Sequence, residues 1–165
     1  MKNLELFPWE DEQKIKIPTE KKQFTSIELF AGAGGLALGL EKAGFEAVLL
    51  NEWDKHACNT LRQNRPKWNV LEGDICEIDF TPYRNKVDLL SGGFPCQAFS
   101  YAGKGEGFND IRGTMFFQFA RAISEVRPKV IFGENVRGLV THDGGRTLDT
   151  IKKTLRELGY KLIEP

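Results

Sequence analysis

The chain has 165 residues, 41% of them hydrophobic and 28% charged, a composition typical of a folded domain and unlike that of a disordered chain. Its 23 basic and 23 acidic residues give zero net charge, so a nucleic-acid partner would need a local basic surface. No apolar run is long enough to span a membrane, and the N-terminus does not resemble a signal peptide. Three cysteines, Cys58, Cys76 and Cys96, lack metal-ligand spacing, which favours reduced thiols in a cytoplasmic protein without a metal site.

Residues 1–22 alternate in charge sign and carry few large apolar side chains, which predicts a flexible N-terminal extension. From residue 23 onward, apolar strands alternate with amphipathic helices. The predicted strands are 26–30, 47–51, 70–71, 87–90, 130–132 and 160–163, and the predicted helices are 36–43, 55–64, 113–126 and 147–158. Strands 87–90 and 130–132 are predicted to be buried. This alternation predicts an α/β domain over residues 23–165 with a doubly wound, mostly parallel sheet.

A glycine turn, Gly-Ala-Gly-Gly-Leu-Ala at 32–37, follows the first predicted strand and fits a Gly-x-Gly-x-x-Gly/Ala nucleotide-binding turn. Glu52 lies twenty residues past Gly32, where a carboxylate can bind ribose hydroxyls. Trp53 can stack on an adenine, and Asp74 can accept a hydrogen bond from its amino group. Each of the three has an ordinary structural alternative, as a solvated strand end, a core residue or a turn former. Together they predict an adenosine-containing cofactor, and both NAD and S-adenosylmethionine satisfy them.

A cysteine loop follows strand 87–90, in the segment Ser-Gly-Gly-Phe-Pro-Cys-Gln-Ala-Phe-Ser at 91–100. It places Cys96 beyond the carboxyl end of a strand, where open α/β sheets bind ligands. The ordinary alternative is a small buried cysteine beside a turn. Glu134 follows strand 130–132 and is expected at the same edge. A thiolate that adds to C6 of a pyrimidine while an acid protonates N3 would prepare C5 to accept a methyl group.

Six segments carry a family resemblance. They are Phe-Ala-Gly-Ala-Gly-Gly at 30–35, Asn-Glu-Trp-Asp at 51–54, Gly-Asp-Ile at 73–75, Gly-Phe-Pro-Cys-Gln-Ala-Phe-Ser at 93–100, Asp-Ile-Arg-Gly-Thr-Met-Phe-Phe at 110–117 and Glu-Asn-Val at 134–136. In this order they resemble successive motifs of the DNA cytosine-5 methyltransferases. The resemblance implies a Rossmann-like, S-adenosylmethionine-dependent methyltransferase fold that acts on duplex DNA, in a restriction–modification system.

The same resemblance implies residue roles. Cys96 would be the nucleophile and Glu134 the acid at N3, and Gln97 and Ser100 would belong to the segment that closes over DNA. The residues implied to hold S-adenosylmethionine are Phe30, Ala31, Gly32, Gly34, Gly35, Glu52, Trp53, Asp74, Ile75 and Pro95.

The resemblance has two departures. Gln118 stands where many members carry an acidic residue, and the family's later arginine motif, target-recognition domain and closing helix have no counterpart in these 165 residues. We therefore expect the cofactor and catalytic half of an enzyme, inactive alone, that is either truncated or completed by a second chain carrying the recognition domain. The alternatives are a non-catalytic cofactor-binding half, an RNA cytosine methyltransferase and an NAD-dependent oxidoreductase.

Overall fold

The structure is a computed structural model that describes residues 23–95 and 115–163. Its centre is a sheet of parallel strands in the order β3-β2-β1-β4-β5. The strands are β1 (Phe24–Leu29), β2 (Phe45–Glu52), β3 (Val70–Glu72), β4 (Leu89–Gly92) and β5 (Val130–Gly133). The order runs outward from β1 in one direction through β2 and in the other through β4, which is the doubly wound arrangement. The predicted sheet is confirmed.

Within residues 23–95 and 115–163, four helices cover the sheet on both sides: α1 (Gly35–Lys42), α2 (Lys55–Asn64), α3 (Met115–Val126) and α4 (Arg146–Glu157). Leu50 of β2 belongs to a core cluster with α1 and α2, whereas its neighbour Leu49 belongs to the larger cluster with α3 and α4. Because successive side chains of a strand point to opposite faces, the two helix pairs lie on opposite faces of the sheet. No helix of the described residues is both long and apolar enough to cross a membrane.

Helix α3 contributes more buried residues to the larger core than any other element of the described residues. It buries Phe116, Phe119 and Ile123, which recur at spacings of three and four and so share one face of the helix. The ring of Phe94 packs against this face, with its centroid 5.3 Å from that of Phe116 and 5.5 Å from that of Phe119. Phe94 immediately precedes Pro95, so the base of the cysteine loop is anchored in the core.

Strand β5 departs from the prediction of a buried strand. Val130 is 53% exposed and Phe132 is 46% exposed, while Ile131, which points to the opposite face, packs against the larger core. Helices α1 and α2 contact β2 and β3, so the described residues leave this side of β5 uncovered. An apolar run of three residues is compatible with burial on one face or on two, and the sequence alone could not separate them.

Residues 160–163, predicted as a sixth strand, form none. The Tyr160 N–H donates to the Leu155 carbonyl at 3.1 Å, and its hydroxyl donates to the Pro128 carbonyl at 2.7 Å. These two bonds hold Tyr160 in the turn that ends α4, and Tyr160 is not paired with a neighbouring strand of the sheet. The other predicted helix and strand ends agree with the structure within two residues, and the predicted extension 1–22 lies outside the described residues.

The predicted strand 87–90 is shifted by two residues in the structure, to Leu89–Gly92, and Asp88, just before it, makes polar contacts beside the starts of the two neighbouring strands. Its carboxylate accepts from the Thr25 N–H at 3.0 Å and lies 2.6 Å from the Lys129 ammonium. Chiefly through the Lys129 bond, these partners lower the pKa of Asp88 to about 2. The contacts join the starts of β1, β4 and β5 at the edge opposite the glycine turn.

Gly34, at the start of α1, should be irreplaceable for steric reasons. Its φ is +89°, and a Cβ there would lie 2.5 Å from Leu61 Cδ2 and 3.1 Å from Trp68 Cζ3. We expect Gly34→Ala to lower the free energy of unfolding by about 2–4 kcal/mol, measured by urea denaturation. Gly39 is the matched control, because it lies within α1 with no heavy atom near its Cβ position. Gly39→Ala should be neutral or stabilise by about 0.5–1 kcal/mol, and equal effects at the two sites would contradict this account.

Candidate active site

The predicted site residues collect at one edge of the sheet, beyond the carboxyl ends of the strands. The turn 30–35 follows β1, Glu52 ends β2, Asp74 follows β3, Pro95 follows β4 and Glu134 follows β5. The strand order reverses between β1 and β4, and α/β sheets bind their ligands at such a reversal. The glycine turn and the base of the cysteine loop are the two segments that flank this crevice.

The glycine turn has an open, left-handed backbone. Phe30, Gly32 and Gly34 all have positive φ, and for Phe30, at 57°, this conformation costs free energy that the surrounding structure must supply. A Cβ at Gly32 or Gly35 would meet no heavy atom within 4 Å, in contrast to Gly34. The turn therefore presents bare backbone to open space at Gly32 and Gly35, which suits close approach of a ligand.

Glu52 ties this turn to the end of β2. Its Oε2 accepts from the Gly32 N–H at 2.7 Å, and its Oε1 accepts from the N–H groups of Trp53 and Asp54, both at 2.8 Å. A carboxylate offers about four acceptor positions, so three backbone donors leave room for a further one such as a hydroxyl. Glu52 and Gly32, paired in the sequence by spacing alone, are in direct contact.

Trp53 and the segment after β3 form the outer part of the crevice. Trp53 is 70% exposed, so the alternative that it belongs to the core is wrong. Asp74 Oδ1 accepts from the Cys76 N–H at 2.9 Å and caps a short 3-10 helix, Ile75–Glu77. The Ile75 side chain is buried in the larger core, so any contact of Ile75 with a ligand falls to its backbone.

Asn51, a residue missed by the sequence analysis, joins three of these segments. Its buried side-chain amide donates to the carbonyls of Leu71 at 3.2 Å and Gly73 at 3.0 Å, and its own carbonyl accepts from the Ala31 N–H at 3.1 Å. Asn51 thereby sets the turn that carries Asp74 against the glycine turn. The signal available in the sequence was a polar amide at the end of the otherwise apolar run 47–51.

Glu134 lies beside the base of the cysteine loop. Its N–H donates to the Gly92 carbonyl at 3.0 Å, and its exposed carboxylate has Oε2 3.1 Å from the position that a Cβ of Gly93 would occupy. A side chain at residue 93 would therefore push against this carboxylate. The glycine keeps the Glu134 carboxylate close to the backbone three residues before Cys96.

Asn135 is a second residue missed by the sequence analysis. Its Nδ2 donates to the Phe94 carbonyl at 2.7 Å, and its Oδ1 accepts from the Val136 N–H at 2.9 Å. The amide thus fixes the backbone that leads into Pro95. The predicted residues Cys96, Gln97 and Ser100 lie outside the described residues, so their roles stay predictions. Within residues 23–95 and 115–163, no group of three or more His, Cys, Asp or Glu side chains is arranged to hold a metal ion.

Glu28 is a third missed residue and carries an unusual carboxyl group. It lies on β1 two residues before Phe30, in register with Leu50 and Ser91, and is only 3% exposed. Its Oε2 has no hydrogen-bond partner among the described residues, and burial raises the pKa of Glu28 to about 8. The carboxyl is therefore largely protonated at neutral pH. It lies two residues before the glycine turn, and its Oε2 has no hydrogen-bond partner among the described residues.

The comparisons with known proteins agree with this geometry. A family model described as C-5 cytosine-specific DNA methylase matches residues 24–163. The chain belongs to this family. The Type II methyltransferase M.Eco47II of Escherichia coli is 66% identical over 157 residues, which are 95% of this chain and 37% of that protein. The Type II methyltransferase M.HhaI of Haemophilus parahaemolyticus is 46% identical over 147 residues, which are 87% of this chain and 44% of that protein.

A solved structure shows the same fold. A mutant of Spodoptera frugiperda DNMT2 superposes with a TM-score of 0.63 at 24% identity, over 82% of this chain and 41% of that one. The family resemblance and the doubly wound methyltransferase fold predicted from the sequence are confirmed. The chain spans less than half the length of the relatives described here.

The buried carboxyl of Glu28 should make stability depend on pH. Because its folded pKa of about 8 lies above the ordinary value of 4.5, the folded chain keeps a proton that the unfolded chain releases. The neutral carboxyl makes its full contribution to the free energy of unfolding below about pH 4.5, and this contribution is lost as the pH rises through 8. We expect Glu28→Gln to gain stability relative to the parent chain across this window, by on the order of 3–5 kcal/mol. Urea denaturation at pH 5, 6.5 and 8.5 measures the difference, and a gap that does not change with pH would refute the assignment.

Proposed function

We propose that this chain supplies the cofactor-binding and nucleophile-bearing part of an enzyme that methylates C5 of cytosine in duplex DNA, with S-adenosylmethionine as methyl donor. The observation that carries the proposal is the convergence of two units on one crevice in a chain of this family. One unit is the open glycine turn tied to Glu52, and the other is Glu134 beside the Phe94-Pro95 base of the Cys96 loop.

The crevice fits the adenosyl cofactor. The open backbone at Gly32 and Gly35 admits a ligand, Glu52 has an acceptor position left for ribose hydroxyls, and Trp53 exposes a flat ring for adenine. When bound, S-adenosylmethionine supplies an electrophilic methyl group on a sulfonium. The residues proposed to hold it are Phe30, Ala31, Gly32, Gly34, Gly35, Glu52, Trp53, Asp74, Ile75 and Pro95.

In the proposed mechanism, the Cys96 sulfur forms a bond to C6 of the cytosine while Glu134 gives a proton to N3. The C5–C6 double bond is thereby converted into a nucleophilic centre at C5. After C5 has taken the methyl group, a base removes the C5 proton, the C6–sulfur bond breaks and the N3 proton returns to the Glu134 carboxylate, which restores the neutral aromatic base, the thiolate and the protonated acid. Placement of an acid such as Glu134 typically contributes roughly two to four powers of ten in rate.

The other cysteines are poor candidates for the nucleophile. Burial is the main cause that raises the pKa of Cys58, and the nearby Glu72 adds to it. Burial and a hydrogen bond with Asp74 raise the pKa of Cys76. A raised pKa reduces the thiolate fraction on which nucleophilic attack depends. These two thiols support the assignment to Cys96 by exclusion, and a reduced thiol nucleophile suits the cytoplasm.

Polypeptide beyond the matched region is proposed to contribute DNA recognition. To flip a cytosine out of a duplex costs a few kcal/mol, which contacts with the DNA backbone and the orphan base must offset. In this proposal those contacts come from a continuation of the chain or from a second chain, together with the loop that carries Gln97 and Ser100. The names of the Type II relatives suggest a place in a restriction–modification system.

A second candidate is a half that binds the cofactor but has no activity by itself. The exposed Val130 and Phe132 on the outer face of β5 favour it, since the described residues do not close the domain there. Under this candidate the chain binds S-adenosylmethionine but is not catalytic, and the groups that act on the base belong to a complementary chain. Robust turnover by the isolated 165 residues would exclude it.

Trp53 should contribute to cofactor affinity without contributing to stability. Because its ring is largely exposed, we expect Trp53→Ala to change the free energy of unfolding by less than about 0.5 kcal/mol. Loss of adenine stacking should weaken binding of S-adenosylmethionine about tenfold, measured by isothermal titration calorimetry. Phe132→Ala, which removes an exposed aromatic ring on the outer strand, is the matched control and should leave affinity unchanged. Equal affinities of the two variants would argue against the stacking role.

Cys96 should form a trappable adduct with DNA. In a duplex with 5-fluorocytosine at the target position, fluorine on C5 blocks release, so the covalent complex should accumulate and be seen by mass spectrometry. The assay uses the full-length protein, or this chain with the polypeptide that completes it. Cys96→Ala should abolish the adduct, Glu134→Gln should slow its formation by about 100-fold or more, and Cys76→Ala should leave it intact. An adduct that survives Cys96→Ala would disprove the mechanism, and faster modification of an RNA of the same sequence would reassign the substrate.

A further inference from the structure

Arg121 of α3 makes an unusual set of contacts with the segment that follows Asp74. Its Nη2 donates to the Ile75 carbonyl at 2.6 Å, and its Nη1 donates to the Ile78 carbonyl at 3.0 Å. The guanidinium also lies over the Phe80 ring, 5.6 Å from its centroid. The half-buried guanidinium therefore contacts Ile75, Ile78 and Phe80, three residues of one six-residue stretch. The first of them, Ile75, is 46 residues away from Arg121 in the sequence.

Two neighbours on α3 fix the guanidinium itself. Arg121 Nε donates to Gln118 Oε1 at 2.8 Å, and Nη1 lies 2.8 Å from Glu125 Oε1. The second oxygen of Glu125 accepts from the Phe80 N–H at 3.0 Å. Arg121 and Glu125 together thus bind the carbonyls of Ile75 and Ile78 and the N–H of Phe80. A planar, rigid guanidinium suits such multiple contacts better than an ammonium does.

The stretch that they hold has little support of its own. Residues 75–80 contain only the short 3-10 helix Ile75–Glu77, whose internal bonds run from the Glu77 N–H to Asp74 and from the Ile78 N–H to Ile75. Asp74 is the N-cap of this helix. The position of the Asp74 carboxylate relative to the crevice therefore depends on where α3 holds the Ile75 carbonyl.

We propose that Arg121, braced by Glu125, is a positioning residue of the cofactor site that holds the Asp74 carboxylate in place to accept a hydrogen bond from the adenine amino group. The inference rests on the proposed function, since it assumes that an adenosyl ligand occupies the crevice. It adds a residue of α3 to a site whose other residues lie at the carboxyl ends of the strands. Arg121 touches no ligand in this proposal and acts only through the turn.

The test compares two ligands that differ at the adenine amino group. S-adenosylhomocysteine carries the amino group, and S-inosylhomocysteine has a carbonyl oxygen there, which an Asp74 carboxylate cannot accept from. Isothermal titration of the intact parent chain should show a preference of about 10- to 100-fold for the adenosyl ligand. Arg121→Met should reduce this preference to below about threefold, mainly through weaker binding of the adenosyl ligand. Arg121→Lys should give an intermediate value, because one ammonium cannot reach all the acceptors at once.

Arg65→Met is the matched control. Arg65 also pairs with a carboxylate, Glu41 at 2.8 Å, and lies over an aromatic ring, that of Trp68 at 5.7 Å, but among the described residues no hydrogen bond or ion pair joins it to residues 74–80. A general loss of stability would weaken both ligands alike and leave their ratio unchanged, as we expect for Arg65→Met. All variants are compared at a temperature where urea denaturation shows them to be folded.

A double-mutant cycle completes the test. Asp74→Ala should remove the preference by itself, and Arg121→Met should have no further effect on the ratio in that background. If the parent chain discriminates between the ligands and Arg121→Met retains the full preference, the positioning role is wrong while the proposed cofactor site stands. If the parent chain binds neither ligand, the proposed function fails and this inference fails with it.

Discussion

The hydrogen bond between the Gly32 N–H and the Glu52 carboxylate, 2.7 Å long, is the contact on which the candidate site depends. It joins the turn after β1 to the end of β2, and the same carboxylate also accepts the N–H groups of Trp53 and Asp54. Asn51 extends this connection to the segment after β3 through the Gly73 carbonyl. Three strand ends are therefore linked by side chains of two consecutive residues, and their relative positions do not require a ligand to define them.

Helix α3 provides a common support for the two halves of the crevice. One of its faces packs Phe116 and Phe119 against Phe94, which leads directly into the cysteine loop. Arg121, further along the helix, holds the Ile75 carbonyl on the cofactor side. Because protein interiors are close-packed, a shift of α3 would be transmitted to both sides together. The arrangement gives the segment that carries Asp74 and the Phe94-Pro95 segment before Cys96 one rigid reference within the domain.

Much of the fold could be predicted because its determinants are local. Pro128 and the glycines of the turn 32–35 mark the ends of elements. Apolar residues recur with different periods in strands and in helices, and this difference separates the two kinds of element. The exposure of Val130 and the lack of a strand at residue 160 could not be predicted, since both depend on what packs against them. At the site, Gly32 and Glu52 were found by spacing, whereas Glu28, Asn51 and Arg121 were missed. Their roles come from bonds or burial created by the tertiary fold, and apart from the polar amide of Asn51 at the end of an apolar run, local sequence patterns carry no record of them.

The distribution of contacts separates cofactor binding from DNA binding in physical terms. The ties among the glycine turn, Glu52, Asn51 and the turn that carries Asp74 all lie within the described residues, so the proposed cofactor site would be formed by residues of this chain. These contacts join protein segments to one another, and none of them offsets the cost of flipping a base. If the function proposed above is correct, cofactor affinity belongs to this chain, whereas catalysis requires the polypeptide that completes the domain.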